Sequence, residues 1–349
     1  FIENTINNFS IDPWSAYLIN NGDVDSFPYG IIMLLSYLPL SLIGELFDKY
    51  LYDFNSFELG FKLTSLVFDY LLLVFLYYLI NKKSLNLLLV SYWLSPIVIY
   101  TNFIHGQIDI VPISFLIFSV FFIRINQFTL SGLAMGFAIS SKFSMFIALP
   151  FFIIYIYKTK GFQEEIIKFI FFVSTITLSL NLPYLTSEGF SQMVLKTGEL
   201  DRLYALFINY GSEYRLFIIP VVFILSLYLF WRLNRITQDL FLVSVGIGFL
   251  SILIFLPPAP GWTLWVVPFL VYYIITSKKD FFLVSFIYSF VYIFNNIFQE
   301  GALNNYSIFF NISALQPSSF SNNIAFTLQQ TLSLLLALKM YIYGLKRNN

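Results

Sequence analysis

An imidazole, an amide and a carboxylate stand within five residues of one another in the stretch YTNFIHGQID, between two apolar runs. They are His105, Gln107 and Asp109, and His105 is the single histidine of the chain. Polar groups are costly next to lipid, so such a cluster is expected to face a cavity. Its chemistry would be hydrogen bonding to hydroxyls or to a phosphate, with a titratable imidazole at hand. Asp109 near the start of a helix would also suit the helix dipole. That plainer role leaves His105 and Gln107 unexplained.

A second set of candidates lies in the opening segment SIDPWSAYLINNGDVDSFPYG. Transfer of a group such as a sugar onto a hydroxyl needs a carboxylate to take the hydroxyl proton. Asp12 is the first choice, followed by Asp25 and Asp23. Pro13 stiffens the backbone after Asp12, and Trp14 offers an aromatic face on which a sugar ring could stack. A solvated acidic loop is the plainer reading of any one of these acids.

The cations are the complement. Lys142 lies between two apolar runs, where an ammonium must reach water or an anion. As a point charge it could hold a phosphate. Arg215, at the mouth of an apolar run, is the better candidate among Lys196, Arg202 and Arg215 for steadying a phosphate leaving group. Lys62 and Asp69 fall on one helix face, and Asp69 reads as a partner for another polar helix face. A hard cation could bind through carboxylate oxygens, but only Asp23 and Asp25 have close spacing. No metal site and no cofactor is therefore expected. With no cysteine, thiolate ligands and thiol nucleophiles are excluded.

The chain has 349 residues, 58% hydrophobic and 11% charged, against about 25% charged in soluble domains. A polytopic membrane protein is expected, all-α, because lipid requires each segment to satisfy its own backbone. Its zero formal net charge gives no reason to expect a nucleic-acid partner. Apolar runs cover 27–47, 60–81, 84–101, 108–125, 129–141, 143–157, 165–182, 215–231, 238–256, 263–276, 280–298 and 324–345. The first, interrupted by Pro28 and Pro39, reads as a re-entrant or surface-lying external helix. About eleven spans remain, and a further span is expected upstream of Phe1. The short runs 129–141 and 143–157 should meet at Lys142 inside the bundle or in a funnel.

Lys and Arg gather at Lys82–Lys83, Arg124, Lys158–Lys160, Arg232–Arg235, Lys278–Lys279 and Lys346–Arg347. By the positive-inside rule these loops face the cytoplasm. The opposite face then receives His105–Asp109, Lys142, the Pro257–Trp262 turn and the loops 183–214 and 299–323. With no linker in view, 1–349 reads as one membrane domain: residues 1–59 form an external loop and juxtamembrane helix, and 60–349 the bundle. Gly132 and Gly136 have the spacing of close helix packing.

These motifs together resemble the C-type glycosyltransferase superfamily of multi-spanning membrane enzymes. The resemblance rests on Ser95–Pro96, on Gly106–Gln107–Asp109–Pro112, on Gly132–Gly136, on Lys142 and on Leu149–Pro150. FPYG, FKLTSLVFDY, NLPYLTSEGF and PGWTLWVVPFL match further segments in order. It implies inverting transfer of a sugar, often mannose, from a polyprenyl-phosphate carrier to a hydroxyl acceptor on a glycan, lipid or protein. The reaction would occur on the non-cytoplasmic face of a membrane, a prokaryotic cell membrane in the first instance. A first-loop Asp would act as base, which Asp12 matches. The rival reading is a transporter or flippase for a lipid-linked or small polar solute, with the same cluster as its binding site.

Overall fold

The computed structural model describes residues 1–50, 55–80, 84–161, 164–211, 213–256, 259–297 and 319–348. Five of its helices are long and apolar enough to cross a membrane: Ile31–Asp48, Ser56–Leu79, Phe143–Lys160, Glu164–Tyr184 and Pro260–Ser277. A sixth crossing results if Leu85–Trp93 and Pro96–Ile104, bent by 45°, form one broken span. These helices are consistent with an integral membrane protein. About eleven full spans were expected, and the helices Ile110–Arg124, Phe128–Ser141, Ile218–Arg232, Gln238–Leu253 and Leu283–Asn296 are shorter than that reading requires. A 15-residue helix is about 22 Å long, less than the about 30 Å of a hydrocarbon core. Apolar composition alone does not reveal where a run is interrupted. The expected loop 299–323 lies outside the described residues up to 318.

The all-α expectation needs one correction. Strands Phe207–Tyr210 and Tyr214–Phe217 pair antiparallel, with Asn209 opposite Arg215. Aromatic and β-branched residues flank Gly211, whose φ of +67° suits the turn. The hairpin occupies the end of the expected 183–214 loop and takes the first residues of the run read as 215–231. The following helix starts at Ile218.

Five helices frame the polar centre. Ile110–Arg124 and Phe128–Ser141 form an antiparallel pair, bonded through the Ser119 and Ser131 hydroxyls at 2.9 Å. Gly132 and Gly136 let the Glu164–Asn181 helix approach: a Cβ on either would lie 2.7 Å from Phe169 O or from Ile176 Cβ respectively. Ile31–Asp48 starts against this pair, with Gly30 N donating to Ser141 O at 2.9 Å. It ends at the start of Ser56–Leu79, where Asp48 accepts from the Ser56 and Phe57 amides at 2.6 and 2.8 Å. Its Tyr37 hydroxyl meets Ser65 at 2.8 Å.

Asp69 bonds the Tyr92 hydroxyl at 2.6 Å and so ties Ser56–Leu79 to the π-helical stretch Leu89–Trp93. Lys62 does not share that work; it pairs with Glu58, one turn away, at 2.6 Å. Burial of Asp69 explains why it takes a hydroxyl partner from another helix.

Candidate functional site

Asp109 is fully buried at the start of Ile110–Arg124. The chain reaches it through the π-helical turn Tyr100–Ile104 and a loop in which Gly106 has φ +76°. A left-handed residue there reverses the chain at little cost for glycine. The Gln107 amide then bonds Thr101 O at 2.9 Å and closes the loop. Asp109 occupies the capping position, yet its side chain caps no amide of its own helix. It is spent on tertiary partners instead.

Lys142 is the first of these. The helix Phe128–Ser141 ends where Lys142 adopts an extended backbone, φ −151° and ψ 121°, and a 3-10 turn, Phe143–Ile147, follows. This break aims the side chain inward, where it is 3% exposed. Its Nζ lies 3.0 Å from Asp109 Oδ1. The same oxygen accepts the Trp265 indole N–H at 3.0 Å. Tyr29 offers its hydroxyl to Asp109 Oδ2 at 3.2 Å and to Gln107 Oε1 at 3.4 Å. The Lys142 ammonium also sits 4.7 Å from the Tyr29 ring centroid and 5.2 Å from that of Trp265. A buried ion pair is tolerated when added hydrogen bonds and aromatic faces replace lost water, and both are present here.

The turn Pro260–Trp265 presses on this cluster from one side. A Cβ on Gly261 would lie 2.4 Å from Asp109 Oδ2 and 2.8 Å from Gln107 Oε1. The turn is pinned by Tyr292, whose hydroxyl bonds Pro260 O and the Thr101 hydroxyl, each at 2.8 Å.

Two cavities flank the pair and share Pro28 in their walls. One, of about 380 Å³, has a mixed lining in which Glu3, Asp25, Tyr29 and Gln107 stand beside Phe1, Phe27 and Phe61, and it is the more polar of the two. The other, of about 420 Å³, is largely apolar: Phe143, Phe146, Ile147, Leu195, Leu203 and Ile252 line it, with Lys142 at its polar end. Ser144 also lines it, and the Ser144 hydroxyl is buried with no hydrogen-bond partner among the described residues. Trp262 and Trp265, stacked at 5.1 Å, form one wall, and the Arg202 guanidinium lies 5.8 Å from the Trp262 ring centroid.

No protein-family model matches the chain, and no curated protein or solved structure matches it.

The expected site residues separate into groups. Gln107, Asp109 and Lys142 meet in one cluster. Asp25 lines the polar cavity beside Gln107. Asp23 is exposed and accepts from the Asp25 amide at 3.0 Å, so it serves the turn Val24–Ser26. Asp12 caps the helix Pro13–Ile19 by accepting from Ser15 N at 3.2 Å, and it lines neither cavity. Its place before a proline at the first helical position already favours a cap.

Trp14 offers no face to a sugar. It is 0% exposed, packed edge-on against Tyr184 and Phe190 at 5.0 and 4.9 Å. Its ring is apolar enough that the core outcompetes the loop surface for it. His105 lines neither cavity and packs beside Tyr100, ring centroids 6.1 Å apart. The loss of water there lowers the imidazole's pKa below its ordinary 6.5, which keeps it neutral near pH 7. Arg215 is held in the hairpin, 4.6 Å from the Phe207 ring centroid, and lines neither cavity. Among the described residues no group of three acids or histidines could hold a metal ion.

The residues missed were Tyr29, Gly261, Trp265 and Ser144. FPYG and PGWTLWVVPFL carried the signal for the first three. Tyrosine and tryptophan near run ends read first as interfacial anchors, which conceals the ones that turn inward.

Proposed function

We propose that the chain is a membrane glycosyltransferase, moving a hexose of the mannose kind from a polyprenyl-phosphate carrier to a hydroxyl acceptor. The observation that carries this reading is the buried Lys142–Asp109 pair set between a largely apolar cavity and a more polar one. A polyprenyl phosphate has the same split character: an apolar chain with an anionic end. The apolar cavity takes the isoprenoid units next to the phosphate. Lys142 and the Ser144 hydroxyl meet the phosphate oxygens, and Arg202 adds charge by the Trp262 wall. Asp109, held by Trp265 and Tyr29, fixes where the ammonium sits, so the site is ordered before the donor arrives.

The acceptor enters the polar cavity. Asp25 takes the proton of the attacking hydroxyl as its oxygen bonds to the anomeric carbon. The bond from that carbon to the phosphate oxygen breaks, and polyprenyl phosphate leaves with both electrons. One displacement inverts the anomeric configuration. Charge on the leaving phosphate is met by Lys142, so the step balances without a cofactor. In this reading the helix Ile31–Asp48 is the juxtamembrane helix, starting beside the site at Ser141 and ending at the start of Ser56–Leu79. The polar cavity opens to the non-cytoplasmic face of a prokaryotic cell membrane, and some of the shorter helices complete the spans.

The test reconstitutes the purified chain in liposomes with a radiolabelled hexosyl polyprenyl phosphate and a short glycan acceptor. Label should appear on the acceptor with release of polyprenyl phosphate, and Lys142→Met should weaken donor binding by about tenfold or more. Movement of intact donor across the bilayer, with no polyprenyl phosphate released, would identify a flippase and overturn the proposal.

A further inference from the structure

A third cavity, of about 340 Å³, lies at the other end of the bundle from Asp109. Arg124, Lys278, Arg347, Gln238, Asp239 and Tyr272 contribute its polar lining. Arg124 closes the same helix that Asp109 opens, and 15 residues of helix put them about 22 Å apart. The lining carries three cations and one carboxylate. Both oxygens of that carboxylate are already engaged: Asp239 accepts from the Tyr272 hydroxyl and from Arg347 Nε. It has little left to offer a cation from solution.

The donors are differently placed. Gln238 Nε2 is buried with no hydrogen-bond partner among the described residues. A buried donor without an acceptor is costly, and a ligand oxygen would recover that cost. Lys278, in the left-handed conformation at φ +55°, closes the helix Val267–Ser277 and has no ion-pair partner among the described residues. Arg124 is anchored to the end of Ser56–Leu79 through Tyr78 O and Leu79 O. Leu79, Ile80 and Ile275 supply an apolar rim next to these charges.

We infer that this cavity binds a phosphate-bearing anion, through the cations Arg124, Lys278 and Arg347 and the unpartnered amide of Gln238. A phosphate group presents several acceptor oxygens in different directions, which matches donors arriving from four separate segments. The mix of cations and apolar rim, at the ends of apolar helices, is also what the headgroup of an acidic phospholipid meets at a membrane surface. Such a site is independent of the glycosyltransferase activity.

Thermal unfolding of the delipidated full chain in neutral detergent tests it, with titrations of phosphatidylglycerol, phosphatidylcholine and inorganic phosphate. Phosphatidylglycerol should raise the unfolding temperature, and phosphatidylcholine should not. Lys278→Asn, which keeps a residue tolerant of positive φ, and Gln238→Met should each raise the half-saturating concentration by about tenfold. If inorganic phosphate reproduces the shift, the ligand is a soluble phosphate compound; if only the lipid does, it is a headgroup. Equal stabilisation by both lipids, no shift with either anion, or unchanged titrations in both variants would each overturn the inference.

Discussion

Trp265 donates its indole N–H to Asp109 across 3.0 Å, joining positions 156 residues apart in the chain. The oxygen that accepts it is the one that Lys142 also approaches at 3.0 Å. Trp265 therefore settles the carboxylate in the orientation that receives the ammonium. An aromatic residue at the end of the Pro260–Trp265 turn thus becomes part of the polar centre.

Removing either member of the Lys142–Asp109 pair leaves the other charge buried without its counterion. Asp109→Asn and Lys142→Met should each cost about 3–5 kcal/mol of stability. The double variant should be less damaged than the sum of the two, with a coupling of about 1–3 kcal/mol in a double-mutant cycle. Unfolding in detergent followed by chemical denaturant measures all four corners. Strict additivity would mean that the pair contributes no interaction of its own.

Asp12 and Asp25 separate the two readings of the opening acids. Asparagine caps a helix about as well as aspartate, so Asp12→Asn should leave both stability and transfer close to the parent, while Asp12→Ala should lose about 1 kcal/mol. Asp25→Asn should abolish transfer while donor binding and melting temperature hold. Activity assays on the three variants decide it: loss of transfer in Asp12→Asn with retention in Asp25→Asn would return the base to Asp12.

Gly261 lies where a methyl group has no room. Gly261→Ala forces the Pro260–Trp265 turn away from Asp109 Oδ2 and Gln107 Oε1, at a cost of about 1–3 kcal/mol. Turnover should fall more than stability, because the displaced turn carries Trp265. Indole fluorescence should report the altered surroundings of Trp262 and Trp265. An alanine variant with parental turnover would show that the turn can retreat without disturbing the pair.

Acid should loosen the end of the bundle away from the site. Burial alone would raise the Asp280 pKa, but the bonds from Lys339 and from the Tyr273 hydroxyl at 2.6 Å outweigh it and hold the carboxyl below its ordinary 3.8. A folded-state pKa below the unfolded one adds stability that is complete above the ordinary value and is lost as pH falls through the folded one. Asp280→Asn should therefore flatten the decline of melting temperature below about pH 4, measured against the parent over the same range. An unchanged acid limb would assign that decline to other carboxylates.

Much of the centre was legible one residue at a time. Gln107, Asp109 and Lys142 stood out because each is costly among apolar neighbours, and that cost is a property of local composition. Asp12 and Trp14 sit away from both cavities, and the sequence left that open for a related reason. A carboxylate followed by proline reads equally as a base or as a helix cap, and the cap becomes visible only in the 3.2 Å bond from Ser15 N. The spacing of Gly132 and Gly136 announced a close helix contact, without saying that Phe169 and Ile176 would fill it.

The amino-acid sequence by itself determined an apolar, mostly helical chain with a polar island, because the transfer of side chains and backbone out of water is decided residue by residue. Which groups on that island touch was decided by the tertiary structure alone. Tyr29, Asp109, Lys142 and Trp265 come from four separate segments, and their 3 Å contacts depend on helix breaks at Lys142 and at Pro260–Trp265 that apolar periodicity does not record. The apolar cavity is lined by both breaks, through Lys142, Phe143, Trp262 and Trp265.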